Sequence, residues 1–390
     1  MFFSITKTPQ DNFAHTYRAG NFCINTDEGW EEYALNSYFV VYKGYVEGNT
    51  ILGALDEIIA QTEPTLMGNF CAIVYNTETQ TVSIKTDRYR SFPLYVGTDI
   101  ITNLEQQSKT IWADGLLEID SHFNTTETKF NIVGSFDTTP VTVSQAIDTI
   151  TAILDEKTKN FLEYNTLPIK VFLSGGVDSL LVYSFLQKFS DKFEFVNYSH
   201  VYYDRFWLKN SSSIKKNWAY SQIHHWADPC VLTSGAPGDE FMLRSPVSAD
   251  LFLKYNGHSI SDLLVQKPEC LHYDYYSQEK HLKIFREQQA PTCDNISEHI
   301  CNILVNDWQH WHLGNTLTWT PLRDLEIPKI LLRVPAEDLV PQIMDSTLSK
   351  QIIENNKPGL SKLISDKKNT GNSMSNLADF YDSILNKNLQ

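Results

Sequence analysis

A glycine turn between a short apolar run and a helical pattern is the stretch of this chain with the clearest chemistry. Val171 to Leu173 form the apolar run, and Ser174 to Ser179 follow with the sequence SGGVDS. From Leu180 to Leu186, apolar residues recur at the spacing of a helix face. A strand, a tight turn and a helix N-terminus in this order present backbone N–H groups and the positive end of a helix dipole to an anion. The pattern therefore predicts a phosphate-binding loop.

The side chains of this loop suit phosphate binding in different ways. Gly175 and Gly176 let the backbone approach an anion closely, and Ser174 and Ser179 add hydroxyl donors. A carboxylate repels phosphate, and the presence of Asp178 makes sense if it holds a divalent cation that in turn holds the phosphates. The alternative is a glycine turn with no ligand, which a Gly-Gly pair alone would favour.

A second polar loop follows a strand predicted over 228–233. Its sequence is SGAPGDE, from Ser234 to Glu240, and taken alone it would be an ordinary turn. The first loop resembles the pyrophosphate loop of the ATP pyrophosphatases. The two loops in this order resemble the asparagine synthetase and β-lactam synthetase family, in which they face each other and two aspartates share a magnesium ion. The resemblance therefore implies ATP and Mg²⁺ as cofactors.

The resemblance also implies the residues of the site. Asp178 and Asp239 would hold the metal and serve in catalysis. A lysine of a late glycine-containing loop would steady the departing pyrophosphate; Lys367 is the best match and Lys368 the next. A solvated lysine pair on a loop is the open alternative. The residues expected to bind ATP and its pyrophosphate are Leu173, Ser174, Gly175, Gly176, Val177, Asp178, Ser179, Ser234 and Gly235.

The N-terminal third reads as β-rich, with strands predicted over 38–42, 70–75 and 81–86 and a helix over 51–61. The block from 67 to 96 resembles the glutaminase domain of the same family. That glutaminase uses a cysteine exposed when the initiator methionine is removed, together with its free amine.

Phe2 and Phe3 offer neither a thiol nor a hydroxyl for that chemistry. Cys23 and Cys71 are internal, and we interpret them as core residues. We therefore expect a retained scaffold without glutaminase activity.

These patterns predict an α/β protein of two domains. Residues 1–125 would form a degenerate glutaminase-like domain with the β-rich sandwich of Ntn hydrolases. Residues 140–390 would form an ATP-pyrophosphatase domain of the adenine nucleotide α-hydrolase type, with a parallel sheet and a helical extension. A polar linker over 124–142 joins them, and either Thr142 or Ser144 should cap a long helix.

The composition of the chain limits the classes of partner that we expect it to bind. The net charge of −15 over 390 residues argues against a broad nucleic-acid interface, which would need a basic face. No apolar run approaches the length of a membrane span. The six cysteines are scattered without a metal-binding spacing, which fits a reducing cytoplasm. We expect small-molecule partners, no nucleic acid and no membrane, and a homo-oligomer stays open.

The resemblance implies an ATP-dependent ligase that forms AMP and pyrophosphate. A substrate carboxylate would be adenylated, and ammonia or an amine would then form an amide. Ala236 stands where the family has Glu or Tyr, and Leu317 and Trp319 stand where asparagine synthetases carry Glu and Arg. The expected substrate is therefore a carboxylate other than aspartate. The alternative is a non-catalytic nucleotide-binding or scaffold protein descended from such enzymes.

Overall fold

The chain is a mixed α/β protein, as predicted. Antiparallel sheets occupy the N-terminal part, and a parallel four-stranded sheet lies nearer the C-terminus. The structure is a computed structural model, and it describes residues 2–103, 109–111, 113–173, 176–196, 228–233, 235, 237–244, 296–307 and 316–364.

Two antiparallel sheets of six strands each build the N-terminal part. The first sheet has the spatial order β10 (Lys109–Ile111), β8 (Leu94–Gly97), β9 (Ile100–Thr102), β1 (Phe3–Thr6), β3 (Phe22–Thr26), β2 (His15–Ala19). The second has the order β12 (Thr125–Lys129), β11 (Gly115–Ile119), β7 (Thr81–Thr86), β6 (Gly68–Asn76), β5 (Tyr38–Val46), β4 (Glu31–Leu35). The three strands predicted from the sequence correspond to β5, β6 and β7.

Strand periodicity explains how the two sheets pack. Successive side chains of a strand point to opposite faces. In β5, Val41 belongs to an apolar core that both sheets share, where it joins Ile5 and Ile24. Val40, the residue before it, belongs to a second core under α1 (Ile51–Ala60). One sheet is thus covered on both faces.

The C-terminal sheet has the spatial order β14 (Glu194–Val196), β13 (Ile169–Phe172), β15 (Cys230–Thr233), β16 (Thr316–Trp319), and all neighbouring strands run parallel. Two helices flank β13, namely α2 (Val143–Tyr164) before it and α3 (Val177–Phe189) after it. Thr142 caps α2 in a capping box with Gln145, which decides between the two predicted caps.

Short helices complete the described part of the chain. They are α4 (Gly238–Phe241), α5 (Ile296–Asp307), α6 (Glu326–Leu331), α7 (Ala336–Met344) and α8 (Thr347–Asn356), followed by a 3₁₀ turn over Leu360–Leu363. Of these, α8 packs against α3. Over the residues described, no helix combines the length and apolarity needed to cross a bilayer.

Charged side chains that are mostly buried connect the N-terminal sheets with α2 and with the segment that follows β16. The Arg323 guanidinium lies 3.8 Å from Asp87 Oδ1 and donates to Ser91 Oγ at 2.6 Å. Lys157 Nζ lies 2.7 Å from Glu47 Oε2 and 3.1 Å from Asp324 Oδ2. We call these groups, Asp87, Arg323, Lys157, Glu47 and Asp324, the sheet–sheet joint.

Candidate functional site

The N-terminus of α3 lies at the carboxyl end of β13, as the glycine turn predicts. Gly176 is the N-cap residue, and α3 has no side-chain capping hydrogen bond. Ser179 Oγ donates to the Gly176 carbonyl at 2.9 Å, so this hydroxyl bonds within its own helix. Leu173 and Val177 are buried in the core, where they can offer a ligand only their backbone.

The second loop packs directly on this helix end. A Cβ atom added to Gly235 would lie 2.5 Å from the Cβ of Asp178, and one added to Gly238 would lie 2.5 Å from its Oδ1. These distances are shorter than real Cβ contacts allow. The loop closes on itself, because the Gly238 N–H donates to the Gly235 carbonyl at 2.7 Å. Glycine at both positions is therefore required for this approach.

Sheet topology explains why the two loops meet. β13 and β15 are parallel neighbours, with Val171 opposite Thr233 in register. The carboxyl ends of parallel strands lie at one edge of a sheet, which is where ligands bind in open α/β sheets. The loop after each strand therefore arrives at the same place.

The carboxylate of Asp178 has a partner that the sequence did not suggest. Arg244 Nη2 donates to Asp178 Oδ2, and Arg244 Nη1 donates to Ser346 Oγ at 3.0 Å. The side chains of Arg244 and Asp178 are only 8% and 15% exposed. Arg244 belongs to no motif, and its contacts join residues 66 and 102 positions apart. Sequence spacing alone carries no signal for such a pair.

Several predicted site residues lie outside the described residues. The backbone of Asp239 is in α4, directly after Gly238, and its side chain is outside the described part of the structure. Asp178 and the Asp239 backbone are thus close, while the predicted sharing of a metal stays a prediction. The residues outside the description are Ser174, Gly175, Ser234, Ala236, Lys367 and Lys368.

The described surroundings of Asp178 do not fit a magnesium ion. Mg²⁺ prefers carboxylate, water and phosphate oxygens. Here a guanidinium contacts the carboxylate, and a second cation beside it would be repelled. Within the described ranges, no group of three or more His, Cys, Asp or Glu side chains could hold a metal ion.

The two residues aligned with the family's acceptor side lie on β16. Trp319 is fully buried, and its ring stacks on Phe161 with 4.2 Å between centroids and 11° between planes. Leu317 is half-buried and lies opposite Val231 in the sheet register. Trp319 therefore fills the core between α2 and the sheet.

The N-terminal cysteines are core residues, as interpreted from the sequence. Cys23 and Cys71 are both buried, and burial raises the pKa of the Cys71 thiol well above its ordinary value. Since the thiolate is the nucleophile of a cysteine, this shift disfavours reactivity. Phe3 is a fully buried residue of β1, and its N–H donates to Asn103 Oδ1 at 2.8 Å.

No protein-family model matches the chain, and a search of the curated proteins finds no match.

Proposed function

We propose that the protein is an ATP-dependent ligase that forms AMP and pyrophosphate. It would adenylate a carboxylate other than aspartate and form an amide with ammonia or an amine. The observation that carries the proposal is the close approach of Gly235 and Gly238 to Asp178 at the N-terminus of α3. This approach brings both loop motifs to the edge of a parallel sheet where nucleotides bind in α/β proteins.

The resemblance supports finer assignments of fold. We infer an Ntn-hydrolase-like sandwich over 1–125 and an ATP-pyrophosphatase domain over 140–390. The two packed antiparallel sheets support the first assignment, and the all-parallel order of β14, β13, β15 and β16 supports the second.

The proposed reaction has two displacements. A carboxylate oxygen of the substrate attacks the α-phosphorus of ATP, and the bond to pyrophosphate breaks. A nitrogen then attacks the acyl carbon of the adenylate, and AMP leaves with the bonding electrons. Backbone N–H groups at the α3 N-terminus would bind the phosphates, and the cationic Arg244 beside Asp178 would offset charge on the leaving pyrophosphate. Lys367 is proposed for the same task.

Product analysis tests the ligase directly. The protein is incubated with ATP, Mg²⁺, ammonium and a pool of carboxylic acids, and AMP and pyrophosphate are measured. We expect AMP release that Asp178→Ala lowers at least about 100-fold. Asp155→Ala is the control, because Asp155 pairs with Lys188 at 2.7 Å in the last turn of α3, at the opposite end of that helix from Asp178. Equal AMP release by wild type and Asp178→Ala, both folded by circular dichroism, would contradict the proposal.

A second candidate is a nucleotide-binding protein without catalysis. The ion pair between Asp178 and Arg244 favours it, because a paired carboxylate is a poor metal ligand. Burial of Trp319 also removes one aligned position from any acceptor pocket. Under this alternative, ATP binds and no AMP forms with any carboxylate.

A further inference from the structure

Packing of the preceding residues fixes the backbone at Arg244, where the loop after β15 meets the N-terminus of α3. The three residues before it, Phe241, Met242 and Leu243, are buried in the core. Leu243 has a φ of 53°, in the left-handed region that bulky residues seldom adopt. The surrounding core must impose this conformation, and it directs the following residue toward α3. The backbone that carries the guanidinium is therefore fixed by packing.

The guanidinium joins three segments of the chain. It extends from the end of α4, contacts Asp178 in the first turn of α3, and donates to Ser346 at the start of α8. Ser346 is itself a left-handed residue with a φ of 54°. Two side-chain partners on two helices thus orient one buried cation beside a predicted phosphate site.

The charge at this position has a consequence for phosphate binding. An isolated carboxylate at the α3 N-terminus would repel a phosphate, and the resemblance assigns the neutralising role to a divalent cation. The arginine here neutralises the same carboxylate. A guanidinium stays charged in proteins and has five N–H donors in one plane, so it can bind a carboxylate and a phosphate together.

We infer that Arg244 takes the place of a divalent cation at Asp178, so that this site binds adenine nucleotides without magnesium. The inference rests on the proposed binding of nucleotide phosphates at the α3 N-terminus. It differs from the proposed function in the metal requirement, which can be measured apart from catalysis.

Nucleotide binding with and without magnesium tests this inference. Binding of ATP bearing a fluorescent ribose label is titrated on the full chain in EDTA and again in excess Mg²⁺. We expect the two wild-type affinities to agree within about threefold, since less than 1 kcal/mol then depends on the metal. Arg244→Gln should lower the affinity in EDTA by about 10-fold to 100-fold, the usual value of a hydrogen bond to a charged group.

Two substitutions at Arg244 distinguish the effect of its charge on nucleotide binding from the effect of its packing. In Arg244→Gln the carboxylate of Asp178 loses its cation, so added Mg²⁺ should recover the affinity that this variant loses in EDTA. Arg244→Lys keeps the charge and should retain most of the affinity in EDTA. Arg333→Gln is the matched control, because Arg333 forms its ion pair with Asp137, an exposed residue of the segment before α2, and should leave both affinities unchanged.

The outcomes distinguish the two proposals. Wild-type binding that is at least about tenfold tighter with Mg²⁺ than with EDTA would overturn the inference and leave the ligase proposal standing. Binding in neither condition would overturn both. Metal-independent binding without AMP formation would uphold the inference and overturn the ligase. The wild-type comparison needs no variant, so it decides the question even if Arg244→Gln fails to fold.

Discussion

Among the described residues, Asp87 and Asp178 each lie beside an arginine, in very different surroundings. Asp87 is 1% exposed and lies beside Arg323 in the sheet–sheet joint. Asp178 is partly exposed, pairs with Arg244, and has two glycines against it. The Asp87 carboxylate also accepts backbone N–H groups of Phe70 at 3.3 Å, Tyr89 at 3.2 Å and Ser91 at 3.0 Å.

The difference separates a structural ion pair from a candidate binding site. Asp87 has its partners supplied by the fold, and its burial raises its pKa, which Arg323 and Ser91 partly offset. Asp178 lies at a helix N-terminus, at the carboxyl edge of a parallel sheet, where glycines replace side chains. A buried charge pair therefore does not mark a ligand site by itself. The position of Asp178 at the edge of the parallel sheet is what makes it a candidate.

The largest expected effect comes from breaking the joint. Arg323→Met would leave Asp87 buried beside an apolar side chain, so we expect the free energy of unfolding to fall by about 3–5 kcal/mol. Urea denaturation followed by circular dichroism measures it. Arg333→Met is the control, because its surface pair with Asp137 should contribute about 1 kcal/mol or less. Equal losses in the two variants would mean that the joint carries no special stability.

Two buried lysines, Lys43 and Lys157, should make the stability of the protein depend on pH in opposite ways. Burial lowers the pKa of Lys43 from 10.5 to about 8, and the charge of Glu28 offsets this only partly. Burial also acts on Lys157, but Glu47 and Asp324 outweigh it and raise the pKa of Lys157. Between pH 8 and 10.5 the unfolded state therefore binds more protons at Lys43, so stability should rise with pH there. Above pH 10.5 the contribution of Lys157 is lost.

The Lys43→Met variant tests whether Lys43 makes the stability rise with pH. The variant should be more stable than wild type at pH 7.5 by about 3 kcal/mol, and its stability should no longer rise as the pH approaches 10. Unfolding free energies measured across this pH range give the answer. A destabilised Lys43→Met with an unchanged pH profile would show that the bond from Lys43 Nζ to the Glu28 carbonyl, at 3.0 Å, outweighs the cost of burial.

A smaller effect is expected where the two loops meet. Gly235→Ala would force a Cβ atom into the backbone of α3, and we expect a loss of about 1–3 kcal/mol together with weakened nucleotide binding. Gly134→Ala is the control. It is strained by a φ of +70° but has nothing within 4 Å, so it should cost about 1–2 kcal/mol and leave binding unchanged. Unaltered nucleotide binding by Gly235→Ala would show that the nucleotide does not depend on the contact between this loop and α3.

The smallest effect on stability is expected at Asp178 itself. Asp178→Asn keeps an acceptor for Arg244, so the unfolding free energy should change by about 1 kcal/mol. Asp87→Asn should cost more, because the amide nitrogen would oppose backbone donors. Thermal unfolding of both variants measures the difference. A larger loss at Asp178 than at Asp87 would contradict the distinction between the two pairs.

Local sequence patterns predicted many of the strands and helices. Runs of apolar and β-branched residues identified β5 and β6, and alternation identified β7. Polar residues before an apolar stripe limited the α2 cap to Thr142 or Ser144, and the structure has Thr142. The glycine turn predicted the transition from β13 to α3. These features depend on residues close together in the chain, where spacing and propensity carry the information.

Contacts between distant segments could not be predicted in the same way. Arg244 and Asp178 are 66 residues apart, and Arg323 and Tyr89 are 234 apart. Neither arginine belongs to a repeating pattern. Trp319 aligned with an acceptor position, yet its stacking on Phe161 makes it a core residue. Pairings of this kind follow from how the sheets pack, which spacing along the chain does not encode.

Hydrogen–deuterium exchange with and without ATP tests the central claim most directly, namely that nucleotide phosphates bind where the two loops meet. We expect slower exchange over 173–183 and 230–243 on ATP addition, with no change in β1 or β3 of the N-terminal sheets. Protection confined to the N-terminal sheets, or no protection at saturating ATP, would contradict it.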